Sequence, residues 1–96
     1  MAKKKMFSNK TYRKVVAKVD RWLTWEHKHV FNDATVFHVY NDDGTCVHVF
    51  VYKASECGMY LSIVKKRDTD EVARISSHAK KMSDINLFIK QVKLIG

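Results

Sequence analysis

The apolar positions of this chain fall into two helix-like stretches that flank a region of period two. From Lys10 to about His27, the residues Tyr12, Val15, Val16, Val19, Trp22 and Leu23 recur at steps of three and four, which lines them along one side of a helix. Ser8 or Asn9 stands where an N-cap side chain would accept an otherwise unpaired first-turn N–H. Near the other end, Ile85, Phe88, Ile89 and Val92 repeat the spacing, with Ser83 as the expected cap. Between these stretches the rhythm changes. Thr35 to Asn41 and Thr45 to Lys53 alternate β-branched and aromatic residues around a turn that contains Asp42-Asp43-Gly44.

The register of that hairpin follows from the faces it creates. A three-residue loop with Gly44 in the left-handed region pairs Asn41 with Thr45 and puts Phe37, Val39, Val47, Val49 and Val51 on one side. A loop one residue longer would mix Val36, His38 and Tyr40 with the valines. A slip of one residue exchanges faces wholesale, so the register with a consistently aliphatic side is expected. A turn around Ser55-Glu56-Cys57-Gly58 leads to a third strand, Met59 to Lys66, in which Met59, Leu61 and Ile63 extend that side. The polar turn Arg67-Asp68-Thr69-Asp70 then gives a short fourth strand, Glu71 to Ser76. The expected fold is α+β in the order αββββα: a two-layer sandwich with a four-stranded antiparallel meander and both helices packed on one face.

Packing both helices on the aliphatic side leaves His38, Tyr40, Cys46, His48, Phe50, Tyr52, Tyr60, Ser62, Val64, Lys66 and Arg74 on the other. Rings can stack on unpaired bases while neighbouring cations hold phosphates. RNA-recognition sheets use this combination, although no RNP motif is present here. One helix on each face would instead make Phe50, Tyr52 and Tyr60 ordinary core. A homodimer could also bury this side, since an open aromatic patch is a liability unless it binds something.

Composition adds a partner to this picture. The 96 residues are 46% apolar and 29% charged, and carry a formal net charge of +8. That length suits one domain, expected over residues 9–96 behind a flexible basic arm at 1–8. Such an excess of positive charge favours polyanions, nucleic acid or an acidic protein. Lys10, Arg13, Lys14, Lys18 and Arg21 fall on the polar side of the first helix, with Trp25 one turn beyond as an exposed-looking indole. Consecutive helical turns repeat about every 5–6 Å, a spacing that can follow phosphates. Lys3, Lys4 and Lys5 would reach the same backbone from the arm.

The remaining candidate chemistry is thinner. Cys46-x-His48, His27-x-His29 and Cys57 supply zinc-type atoms, but neither C-x₂₋₄-C nor H-x₃₋₅-H spacing occurs, so no metal or other cofactor is expected. His38 and His48 beside Arg74 would be the acid/base pair of a metal-independent ribonuclease, the third reading in rank. No apolar run approaches the roughly 20 residues of a membrane span. The charged start is not followed by a secretory apolar stretch, and two cysteines are too few for a disulfide framework. A soluble, cytoplasmic protein with no membrane partner is expected.

The leading reading is therefore a non-enzymatic binder of RNA or single-stranded DNA. Phosphate contacts would come from Lys3–Lys5, Lys10, Arg13, Lys14, Lys18, Arg21, Lys66 and Arg74, and stacking from Trp25, Tyr40, Phe50, Tyr52 and Tyr60. The alternative is a small regulator or inhibitor, of the kind phages and mobile elements carry, that grips an acidic protein or blocks a nucleic-acid enzyme.

Overall fold

A computed structural model of the chain describes residues 7–55 and 58–95. Helix α1 covers Asn9–Trp22 and is capped by Ser8, whose hydroxyl accepts from the Thr11 N–H. Strands β1 (His27–Val30), β2 (Ala34–Tyr40), β3 (Thr45–Tyr52), β4 (Met59–Arg67) and β5 (Asp70–Ala79) follow, and α2 (Met82–Ile95) closes the order. The strands form one open antiparallel sheet in the order β1-β2-β3-β4-β5. The fold is α+β with five strands where the hydrophobic pattern gave four.

The extra strand lies where the helical pattern was expected to continue. α1 stops at Trp22, and Leu23, in extended backbone (φ −106, ψ 127), donates its N–H to the Val19 carbonyl. Residues 27–30 then pair with Thr35–His38 of β2. His27-Lys28-His29-Val30 has no apolar alternation, because an edge strand needs little burial of its own. Pairing partners and one charged contact hold it. The Lys28 ammonium reaches the Asp20 carboxylate of α1 at 2.8 Å and lies 5.7 Å from the centre of the Phe37 ring.

The β2–β3 hairpin adopts the register expected from its faces. Tyr40 pairs with Cys46, the Asn41 N–H donates to the Thr45 carbonyl at 2.8 Å, and Gly44 has φ +87. The Asp43 carboxylate accepts from the Thr45 N–H at 2.9 Å, which closes the loop. At the β3–β4 turn, Gly58 has φ +125, and a Cβ there would meet the Ala79 carbonyl oxygen at 2.3 Å. β5 is longer than expected, running to Ala79, and is largely exposed because among the described residues no strand lies beyond it. Ser83 does not cap α2 but lies within it. The Asp84 carboxylate reaches back to the N–H groups of Lys80 (2.9 Å) and Lys81 (3.2 Å), satisfying donors at the helix start.

The buried sides of both helices belong to one hydrophobic cluster with residues of the strands. Tyr12, Val15 and Val19 of α1 and Ile85, Phe88, Ile89 and Val92 of α2 join Phe37, Val39, Val47, Val49, Val51, Met59, Leu61 and Ile63 in one core cluster. The Tyr12 hydroxyl and Thr35 Oγ1 share a buried hydrogen bond of 2.6 Å that ties α1 to β2. None of the residues that alternate with these on the strands joins the cluster.

Candidate nucleic-acid interface

Strand pairing arranges the other side of the sheet in rows. His27, His38, His48, Val64 and Arg74 stand side by side across all five strands. The next row is His29, Val36, Phe50, Ser62 and Ser76, and beyond it Tyr52, Tyr60 and His78. Tyr40, Cys46 and Lys66 lie on the opposite flank. The chain's five histidines thus share one face.

The rings form a continuous contact series. His27 meets Tyr40 at 5.7 Å between centroids, His29 meets His38 at 5.0 Å, and His38 stacks on His48 at 4.1 Å with 16° between planes. The series continues through Phe50, Tyr52 and Tyr60 to His78 at 6.2 Å. Tyr40 and Tyr60 are 52% and 42% exposed, so rings at both flanks remain accessible. His38, His48, Phe50 and Tyr52 are half-buried, each shielded by its neighbours in the row. Val64 and Ser62, in the same rows, are fully buried.

Arg74 makes a paired contact with the Glu71 carboxylate, Nη2 to Oε1 at 2.8 Å and Nε to Oε1 at 3.1 Å, which raises the guanidinium and lowers the carboxyl from their ordinary values. Its Nη1 also approaches Ser62 Oγ at 3.5 Å. Burial, followed by repulsion from His48, His29, His27 and Lys66, holds His38 below the usual imidazole range. Burial and then Lys66 do the same for His48. Burial, and next the Glu26 carboxylate, push the Cys46 thiol up, with Lys66 and the Val39 backbone acting against them.

The other expected contacts lie elsewhere. Lys10, Arg13, Lys14, Lys18 and Arg21 are all exposed, on the side of α1 away from Tyr12, Val15 and Val19. Lys18 lines a groove shared with α2, whereas Arg13 lines a pocket at the sheet edge with Lys28, Val30, Phe31 and Thr35. The basic helix approaches the rings at this edge, where Phe31 stacks against His29 with centroids 6.3 Å apart; Lys66 and Arg74 are the Lys and Arg residues in the ring rows.

The two tryptophans exchange their expected roles. Trp25 lies beyond the end of α1, half-buried, with its ring 6.1 Å from Phe37 and its indole N–H donated to Asp20 at 2.9 Å. It packs against the core instead of standing exposed as the helical pattern suggested. Trp22, which the helical spacing put in the buried stripe, is 45% exposed and has the Lys93 ammonium 4.3 Å from its ring centre. It lines an open groove between α1 and α2 with Lys18, Lys90 and Lys93. Lys3, Lys4, Lys5 and Cys57 lie outside the described residues.

Four ring-bearing residues at this face escaped the sequence reading: His27, His29, His78 and Phe31, which stacks on His29 with centroids 6.3 Å apart. His27 and His29 became visible only with β1, although their i, i+2 spacing is that of a strand face. His78 required β5 to continue past Ser76. Compared with family models, curated proteins and solved structures, the chain finds no match. Among the described residues, no helix is long and apolar enough to cross a membrane.

Proposed function

We propose that this protein binds single-stranded nucleic acid, RNA foremost, without chemical turnover, by stacking bases on the ring face of its sheet. In this reading the fold is a two-layer sandwich whose helices cover one face and leave the other to the ligand. The observation that carries it is the unbroken series of rings from β1 to β5, with exposed tyrosines at its flanks and no helix packed over it among the described residues. Duplexes hide their base faces, whereas single strands offer them. The basic stripe of α1 acts separately, raising the encounter rate and gripping phosphates of a longer strand that wraps round the molecule.

A salt-titrated anisotropy assay with labelled single-stranded RNA and DNA tests the proposal. Phe50→Ala with Tyr52→Ala should weaken binding at every salt concentration, by about 1–3 kcal/mol for each stacked base lost. Lys14→Ala with Lys18→Ala should instead lower the salt slope by about 1.4, roughly 0.7 for each phosphate contact removed. Unchanged affinity in the ring variant would refute stacking. A concentration-dependent dimer that Tyr60→Asp dissolves would assign the face to self-association.

A second reading draws on the α1–α2 groove. Trp22 sits there among Lys18, Lys90 and Lys93, remote from the rings, and fits an acidic protein segment with an apolar anchor. Retention of one acidic protein after nuclease treatment, lost in Trp22→Ala, would favour it. The ribonuclease reading has less behind it. His38 and His48 stack face to face with both imidazoles held toward the neutral form, whereas acid/base cleavage needs one of them protonated.

A further inference from the structure

One cluster on the ring face has a chemistry that stacking does not use. His48 stands opposite His38, and Cys46 lies two residues before His48 on β3, so three metal-binding side chains rise from adjacent strands on one side. An imidazole nitrogen from each histidine and the Cys46 Sγ all lie within 4.8 Å of one another. Tetrahedral zinc, with Zn–S near 2.3 Å and Zn–N near 2.0–2.1 Å, separates its ligand atoms by about 3.3–3.8 Å. Side-chain rotations of roughly 1 Å would close that difference without moving the strands.

We propose that His38, Cys46 and His48 bind one divalent transition-metal ion, Zn²⁺ foremost, with a fourth coordination position open to solvent or to an incoming ligand. Two nitrogens and a sulfur suit zinc and its neighbours in the first transition row, whereas Mg²⁺ and Ca²⁺ require oxygen. The imidazoles are ready as ligands. Among the described residues neither ring makes a hydrogen bond that would have to be broken. The two rings stack with 16° between their planes, so holding one ion would turn their nitrogens toward each other and open the stack. The Cys46 thiol is held protonated, so coordination replaces its proton, which leaves to solvent, and forms an S–metal bond. Of the charges around the thiol, Glu26 favours a cation there and Lys66 opposes it.

The site is independent of the nucleic-acid reading, and its test uses the full chain with metal alone. Reduced protein freed of metal by a chelator is titrated with Co²⁺ and followed by absorbance, and Zn²⁺ is then added as competitor. The expected result is one Co²⁺ per chain, a thiolate-to-cobalt charge-transfer band in the near ultraviolet, and loss of that band as Zn²⁺ displaces the cobalt. Cys46→Ser should abolish the band while circular dichroism shows an intact fold. His38→Ala or His48→Ala should weaken binding at least tenfold, since even second-layer changes at metal sites cost about 10–100-fold. Cys57→Ser and the His27→Ala/His29→Ala double variant should keep the band. Absence of Co²⁺ binding overturns the proposal. So does a band that survives Cys46→Ser, or one that disappears with Cys57→Ser or with the His27/His29 pair.

Discussion

Asp20 shows how one side chain can link elements that the sequence presents as unrelated. It sits on α1, yet its carboxylate accepts from the Trp25 indole beyond the helix and from Lys28 on the edge strand. The bonds from Lys28 and then Trp25 lower its pKa, so its stabilising contribution is complete above the unfolded carboxylate value near 3.9 and fades as pH falls through the lower folded value. Asp20→Asn should therefore lower stability at pH 7 by no more than about 1 kcal/mol, because the pair is partly solvated. Chemical denaturation at pH 7 and again near pH 3 checks this: the gap between variant and parent should shrink in acid. Gly58 is a stricter case. A side chain there would need both an unfavourable backbone at φ +125 and space occupied by the Ala79 carbonyl. Gly58→Ala should cost about 1–3 kcal/mol, read as a fall in Tm of at least about 4 °C.

At the scale of elements, the hairpin and the edge strand were legible to different degrees. The alternation through Val39, Val47, Val49 and Val51 made a unique register the only one with a clean face, and that register is the one adopted. β1 offered no such pattern. Its four residues are read as strand only because β2 presents free backbone groups beside them, a fact about neighbours in space. The helical period through Trp22 and Trp25 misled for the same reason: it continued past the point where pairing with β2 took the chain over. β1 should accordingly be the least secure strand. Lys28→Glu would set a like charge against Asp20, and amide exchange should speed up in residues 27–30 while β3 and β4 stay protected. In contrast, Phe37 is fully buried between β2 and the helices, and Phe37→Ala should cost about 3–5 kcal/mol in a denaturation series. That is a large part of the roughly 5–15 kcal/mol that holds a small domain together.

For the whole molecule, the decisive feature is that most of the α1 cations lie apart from the rings, Arg13 at the β1 edge being the exception. Sequence reasoning joined them into a single site because both are exposed and both suit the same polymer. Packing separates them, since α1 must bury Tyr12, Val15 and Val19 against the aliphatic face. The two surfaces should then fail independently. On a heparin column, which offers charge but no bases, Lys14→Ala/Lys18→Ala should elute at distinctly lower salt, while Phe50→Ala/Tyr52→Ala should elute with the parent. Equal displacement of both variants would mean that rings and cations form one continuous surface after all.

Periodicity and turn chemistry by themselves determined the α+β class, the aliphatic side of the sheet, the β2–β3 register, the stripe that α2 buries and that of α1 apart from Trp22. These are local quantities, set by which neighbouring side chains can share a face. Only tertiary structure decided that His27, His29 and His78 join the ring face, that Trp25 turns inward while Trp22 stays out, and that His38, Cys46 and His48 converge. Each of those depends on pairing or packing between residues distant in the chain. Spacing along a sequence carries no record of which strand will lie alongside.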